Sequence, residues 1–489
     1  MDTLRVTKIN EVHAIVNAEA GLLQELSDFF MFESPGAKFS PAFRNRLWDG
    51  KIRMFNMMNR RLPIGLVPYA QKWAADRDYE MVLENFDDPT PRPELDVGKF
   101  VEYVGLPEDK QPRDYQIESL LKFYDNKRAI ILSPTASGKS LTIYLMARLA
   151  KAMKKRVLIT VPTITLVNQL RSDFLSYGCP DEWIYSIVGG KGKESEAPFV
   201  ISTWQSIYKL NKKWFEKFGC VIGDEAHGYK ADCLALMMSK MESADFRVGL
   251  TGTTDGKQVH KLQLEANFGP ITRVASTKEL QERKLLSDIK ITFARLIYSE
   301  ADKTNAKKNL KQFADEVDWL VKCKARNDFI KKVAKSLKGN TVLLFNHRDT
   351  HAKLIYEDLK AELGDRVFFI AGSVKGDERE EIRQIVMKRS DAIIVATYGT
   401  MSTGVNIPNL NNAVFCAPGG KSVIRILQSI GRVLRKAEGK AHAKLIDLVD
   451  DLHHKSYINH CLKHMKDRME IYSNEGWEYD IQSIHLSTG

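Results

Sequence analysis

The chain has few cysteines: Cys179, Cys220, Cys233, Cys323, Cys416 and Cys461 are scattered through 489 residues, and no two form a C-x-x-C pair. That pattern argues against a disulfide framework. Runs such as Gly219-Cys220-Val221-Ile222 are the setting of buried thiols in a reducing compartment. No apolar run approaches the roughly 18 residues of a membrane span. The opening MDTLRVTKINEVHA alternates polar and apolar residues where a secretion signal would need an apolar core. Internal repeats and low-complexity tracts are missing too. The expectation is a soluble, cytoplasmic protein without a membrane partner. Hydrophobic residues at 44% and charged residues at 28% are the balance of a globular chain, and the length suits about three domains. The net charge is +11 and the pI near 9.1, so an anionic partner is expected, nucleic acid first.

From about residue 128, short apolar runs recur between longer helical patterns. They fall at 129–132, 157–161, 199–202, 220–222 and 247–250, then at 341–345, 367–370, 392–396, 413–416 and 443–448. Strands alternating with helices imply parallel sheets covered on both faces, whose buried strands read as continuous apolar runs. Two such series separated by Lys-rich sequence, 277–338, imply two α/β domains linked near 285–294. The first hundred residues lack this rhythm and segregate their charge. Seven basic residues (Lys38, Arg44, Arg46, Lys51, Arg53, Arg60, Arg61) face one acid, Asp49, and eight acids then crowd residues 76–96. A small α+β domain ending in the acidic, Pro-containing linker 87–93 is expected.

Ser133-Pro134-Thr135-Ala136-Ser137-Gly138-Lys139-Ser140 lies between the run 129–132 and the helical stretch 141–153. This is the strand–loop–helix context of a phosphate loop, with Ser133 where Gly is usual. Backbone N–H groups of such a loop cradle phosphate, Lys139 reaches the β and γ phosphates, and Ser140 ligates Mg²⁺. About 85 residues on, Asp224-Glu225-Ala226-His227 follows the run 220–223. An Asp at the carboxyl end of a buried strand suits Mg²⁺, and a Glu beside it can orient and deprotonate a water.

With Gln428-Ser429-Ile430-Gly431-Arg432-Val433-Leu434-Arg435 further on, the order of motifs resembles a superfamily-two helicase over residues 110–450. The resemblance implies ATP and Mg²⁺ as cofactors, and two tandem RecA-like parallel-sheet motor domains behind a small α+β N-terminal DNA-binding domain. The expected bounds are 1–100, 101–285, 286–455 and a helical tail, 456–489. The resemblance also implies adenine reading by Gln116 with Arg113, and coupling through His227, Thr251 and Thr253. It implies backbone grip by Pro162, Thr163, Gln169, Thr203 and Gln205 in the first motor domain. Thr397 and Thr403, in the stretch running to Asn406, would grip in the second. Arg432 and Arg435, with Gln428, would stabilise γ-phosphate charge.

Phe43-Arg44-Asn45-Arg46-Leu47-Trp48-Asp49-Gly50-Lys51-Ile52-Arg53 interleaves basic and aromatic residues, which suits phosphate contacts with stacking or packing by Trp48. The stretch from Phe39 to Leu66 resembles the N-terminal domain of the phage UvsW family of recombination helicases. That resemblance implies a 3′-to-5′ enzyme of branched DNA (Holliday junctions, forks, D-loops and R-loops), acting as a monomer on branched, duplex and single-stranded DNA in a host's cytoplasm. Motor motifs grip a backbone and do not separate DNA from RNA, so an RNA helicase or an enzyme of RNA–DNA hybrids stays open as the alternative. His453, His454, His460, Cys461 and His464 read as part of a helical cap rather than a metal site, and Met57 and Met58 read as packing.

Overall fold

The computed structural model describes residues 3–86, 93–189, 192–230, 232–254, 256–346, 351–372, 374, 376–403, 407–420, 422–437, 440 and 442–486. Most of the linker expected at 87–93, and Gly404 to Asn406, lie outside them. The chain divides into two compact units, Met1–Ser133 with Gly138–Val274 and Pro134–Ser137 with Ala275–Gly489.

The N-terminal domain is α+β. Strands β1 (Thr3–Lys8) and β2 (His13–Asn17) pair antiparallel, β3 (Met31–Glu33) pairs with β4 (Lys51–Arg53), and β5 (Arg61–Pro63) joins β2. Strand β6 (Glu80–Glu84) runs parallel to β1, closing a four-stranded sheet of order β5-β2-β1-β6. Alternation along β1 buries Leu4 and Val6. The helices Ala20–Phe29 and Val67–Ala75 cover that face with Leu22, Leu23, Leu26, Ala70 and Trp73.

The same core takes in Leu262, from the helix Gln258–Phe268 of the following motor domain. Gly65 lies so close to that helix that a Cβ would come within 2.9 Å of Ala266 O and still closer to Glu265 O. Tyr69 Oη donates to Glu265 Oε2 at 2.5 Å, and Arg128 Nη2 donates to the Glu11 carboxylate at 2.9 Å. The domain is thus keyed onto its neighbour by shape and by charge.

Residues 128–273 form a seven-stranded parallel sheet from β7 (Arg128–Leu132), β8 (Val157–Val161), β9 (Ile184–Ile187), β10 (Phe199–Thr203), β11 (Cys220–Asp224), β12 (Phe246–Thr251) and β13 (Ile271–Arg273). Its order is β13-β7-β12-β11-β8-β10-β9. Every residue of β8, β10 and β12 is buried, because helices cover both faces.

The second unit repeats the plan with β14 (Asp288–Ile297), β15 (Asn340–Phe345), β16 (Val367–Ile370), β17 (Ile393–Thr397), β18 (Leu410–Phe415), β19 (His442–Asp451) and β20 (Tyr479–His485). All seven are parallel, in the order β16-β17-β15-β18-β19-β14-β20. This architecture, two RecA-like sheets behind a small mixed domain, is the one expected.

Two expectations are corrected. The link placed near 285–294 falls on β14, an interior strand paired with β19 and β20. Lys290, Thr292 and Arg295 interrupt its apolar run and disguise it. The tail is not wholly helical. After the helix His460–Asn474 it ends in β20, whose mostly exposed residues show no continuous apolar run. Buried groups fix the tail helix. Glu316 accepts the N–H groups of His460 and Cys461, each at 2.8 Å, and Arg468 Nε donates to Asp447 Oδ2 at 2.8 Å.

Candidate active site

The sequence expected to hold phosphate connects β7 to the helix Lys139–Ala152. The loop needs left-handed backbone, and Ala136 (φ 68°) and Gly138 (φ 82°) supply it. Lys139 Nζ lies 3.4 Å from Ser133 O, folded back over the loop. Ser133 and Ser137 are buried, and Ser137 N–H donates to Pro134 O at 3.3 Å. Thr135 lies between them in the loop. Ser140 Oγ is 2.8 Å from Tyr177 Oη, whose pKa burial pushes up to about 12. No local signal in the sequence points to Tyr177, because its partner lies 37 positions away.

Gln116 is buried at the N-terminus of the helix Asp114–Asn126. Its Nε2 donates to Gly138 O at 3.0 Å, and its Oε1 accepts Arg113 N–H at 2.9 Å. A Cβ at Gly138 would meet that amide at 2.7 Å and displace it, so glycine, which the left-handed φ favours, also leaves room for the Gln116 contact. Gln116 braces the phosphate loop. Arg113 is exposed and donates to Tyr115 Oη at 2.9 Å.

Asp224 ends β11, and Glu225 (φ 51°) turns the chain off the strand, its N–H held by Asp224 Oδ1 at 2.9 Å. Strand β12 lies between β11 and β7, and its last residue joins the two motifs. Thr251 O accepts Ser133 N–H at 3.0 Å, and Thr251 Oγ1 is 3.0 Å from His227 Nδ1. His227 Nδ1 is 3.4 Å from Glu225 Oε2. Thr251 Oγ1 also donates to Thr253 O at 2.9 Å. A continuous polar path therefore runs from the phosphate loop through Thr251 and His227 to Glu225. Asp224 and Ser140 offer only oxygen donors, the set that Mg²⁺ takes.

The residues expected to grip a backbone gather at the carboxyl ends of neighbouring strands. Pro162 and Thr163 follow β8, and Thr163 caps the helix Ile164–Ser176, its Oγ1 accepting Leu166 N–H at 3.3 Å. Gln169 lies two turns on, half-buried. Thr203 ends β10, with its Oγ1 2.9 Å from Ser206 Oγ, and Gln205 Nε2 reaches Pro162 O at 3.3 Å. In the second unit Thr397 ends β17, with its Oγ1 2.7 Å from Thr400 Oγ1, and Thr403 closes the helix Tyr398–Thr403. The helix Val423–Val433 carries Gln428 and Arg432, both buried, and Arg435 follows it. Lys440 Nζ, which the sequence does not single out, donates to Val433 O and, at 2.8 Å, to Arg435 O, holding the end of that helix.

The basic stretch of the N-terminal domain is mostly exposed, with Arg44 and Arg46 facing solvent. Arg53 is tied to Asp49 at 2.5 Å, and that hydrogen bond holds the Asp49 carboxyl down to about 2. Trp48 is half-buried, its indole donating to Lys51 O at 3.0 Å. The packing role expected for Met57 and Met58 is corrected. Met58 is 99% exposed, at a turn where a side chain reaches no neighbouring element, and Phe39 (79%) and Leu47 (82%) are exposed as well. His460 and His464 share the tail helix, Cys461 is buried in an apolar cluster, and His453 Nδ1 is 2.6 Å from Asp451 Oδ1.

Three family models match the chain. Residues 4–84 match the N-terminal domain of the DNA helicase UvsW, 109–256 the res subunit of type III restriction enzymes, and 325–437 the helicase conserved C-terminal domain. The chain is 32% identical to the ATP-dependent DNA helicase uvsW of Enterobacteria phage T4, over 97% of this chain and 98% of that one. It is 26% identical to the DNA 3′-5′ translocase XPB2 of Sulfurisphaera tokodaii, over 78% and 88% respectively. The crystal structure of T4 UvsW matches all of both chains at a TM-score of 0.50 and 31% identity.

Proposed function

Since the chain belongs to the UvsW family of superfamily-two, ATP-dependent DNA helicases, we propose that it remodels branched DNA, driving junctions, forks, D-loops and R-loops along the duplex with 3′-to-5′ polarity. One observation supports the ATP-driven motor in this reading above the others: the polar path through Thr251 that joins the phosphate loop to Glu225. The branched substrate and the polarity rest on the likeness to the UvsW helicase and to the 3′-5′ translocase. In this reading the loop 133–138 and Lys139 bind the triphosphate of ATP, and Gln116 braces the loop beside the base. Ser140 and Asp224 would hold Mg²⁺, which when bound neutralises charge on the β and γ phosphates. Glu225, the Glu of a DEAH box, takes the proton of the attacking water, and His227 orients it. Arg432 and Arg435 spread guanidinium charge over the transferred phosphoryl group.

Thr251 and Thr253 report that state along β12, which leads to the helix on which the N-terminal domain rests. Pro162, Thr163, Gln169, Thr203 and Gln205, with Thr397 and Thr403, hold one strand's backbone. Arg44, Arg46 and Lys51 hold a duplex arm. The test compares ATPase stimulation and unwinding on Holliday junction, fork, R-loop, plain duplex and RNA duplex. Preference for the branched DNA substrates is expected. Equal rates on plain duplex or RNA duplex would overturn the branched-DNA reading.

A further inference from the structure

The second sheet has a crevice that none of these roles uses. After β15 the chain builds β16 and β17 on one side, then crosses to β18 on the other. In open parallel sheets, the gap at the carboxyl ends of two such strands is where ligands sit, because the diverging connections leave it uncovered. Here it opens into a cavity of about 470 Å³, within the range that holds a small organic ligand. Asn346, just past β15, and Phe415, at the end of β18, both line it, with Phe313, Tyr398, Arg425 and Asp447.

Asp447 is 1% exposed. Its Oδ2 accepts Arg468 Nε at 2.8 Å and Tyr472 Oη at 2.7 Å, whereas its Oδ1, equally buried, has no hydrogen-bond partner among the described residues. A buried carboxylate oxygen without a donor is costly, and burial raises this carboxyl's pKa. A ligand that brings an N–H into the cavity removes the cost. The rings of Tyr398 and Phe415 meet edge to face at 5.3 Å, and with Phe313 they give the cavity an apolar, aromatic lining. Arg425 is exposed and cationic. A simple amine would satisfy Asp447 but would face a like charge at Arg425. A ligand with a flat donor-bearing ring and an anionic group matches both ends.

We infer that this cavity binds a nucleotide, its base against the aromatic side chains with an N–H on Asp447 Oδ1 and its phosphate on Arg425. The nucleotide is either one turned out of the bound strand, which rests on the helicase reading above, or a free mononucleotide. Bases taken out of a stack are held this way, by one polar edge and aromatic faces.

The test uses the full chain with its ATP site saturated by ADP. A single abasic site is moved along a short single strand, and affinity is read by fluorescence anisotropy. An abasic site keeps the phosphates and removes the base, so a grip on backbone alone is insensitive to its position. A base in the cavity makes one position stand out by about tenfold. Asp447→Asn, which can turn a donor toward the ligand, should abolish that position dependence. Arg425→Gln, at an exposed position, should weaken it and guards against misfolding of the buried variant.

Guanosine and adenosine monophosphate are titrated calorimetrically in parallel. Saturable binding that Arg425→Gln weakens, with a flat abasic scan, assigns the cavity to a free nucleotide. A flat scan with no saturable heat overturns the inference. DNA-stimulated ATP hydrolysis on the same samples separates the two readings. If it is intact while both arms fail, only the cavity is refuted. If it is absent, the helicase reading fails, and the mononucleotide arm still decides the cavity.

Discussion

Replacing Gly65 by Ala tests whether the N-terminal domain is keyed onto the first motor sheet. Gly65 lies in the short helical turn Ile64–Leu66 and has no positive φ, so alanine suits its backbone and any loss must come from crowding. The added Cβ would lie 2.9 Å from Ala266 O and from the Glu265 carbonyl carbon, and closer to Glu265 O. These are backbone atoms of the helix Gln258–Phe268 and cannot rotate aside. Either the helix shifts or the domain lifts, at about 1–3 kcal/mol for overpacking.

Lifting also stretches the Tyr69–Glu265 hydrogen bond of 2.5 Å. A bond to a carboxylate is worth about 1.5–3 kcal/mol when buried, and less here because Tyr69 is partly exposed. A loss of about 3 kcal/mol lowers Tm by roughly 5 °C in a unit of this size. Tyr69→Phe, which removes the bond without crowding, should cost about 1–2 kcal/mol. Calorimetry of the parent and both variants measures this. A Gly65→Ala protein that melts with the parent would show that the close approach imposes no constraint.

Glu225→Gln should retain ATP binding and lose about 10²-fold or more in turnover, as expected when a general base is removed. Near-normal hydrolysis would remove Glu225 from that role. Thr251→Val cuts the bonds to His227 and Thr253 and should lower unwinding per ATP more than ATP hydrolysis. An equal loss in both would refute a coupling role. Replacing Arg44, Arg46, Lys51 and Arg53 by Ala should flatten the log–log salt dependence of junction binding. The change should be by roughly 2.7, three phosphates at about 0.9 each, because Arg53 is already paired with Asp49. An unchanged slope in a folded variant would leave the patch a solvated surface. Burial, with the Arg435 charge second, pushes the Lys440 ammonium from 10.5 down to about 8. The unfolded chain then binds more protons between those values, so stability relative to Lys440→Met should rise with pH through that window. Denaturant titrations at both ends measure it, and a flat or falling difference contradicts the assignment.

The interior strands were legible because burial on both faces makes them continuous apolar runs, as in β8, where the expected and observed bounds coincide. Strands β9 and β13 are short and at their sheet's edges, and β20 is an edge strand of mostly exposed residues, so none carried that signal. Strand β14 was masked by the charges of Lys290 and Arg295, the latter neutralised by Asp451 from 156 positions away. At the candidate site, motif spacing located Lys139, Asp224 and Glu225. What braces them comes from distant sequence. Tyr177 on Ser140 and Gln116 on Gly138 are pairings that only tertiary packing creates. The exposure of Met58 could not be read either, since composition does not distinguish a core methionine from one at a turn.

The position of β14 also affects how this protein is made. It is the first strand of its sheet to leave the ribosome, yet its neighbours β19 and β20 are among the last. At roughly 5–20 residues per second, the wait for β19 is on the order of ten seconds. Throughout it, a ten-residue strand has both hydrogen-bonding edges open, the condition that favours pairing with the wrong chain. Lys290 and Arg295 place charge on the strand during that interval. The residues that hid β14 from a reading of the sequence therefore guard it against aggregation until its own neighbours arrive.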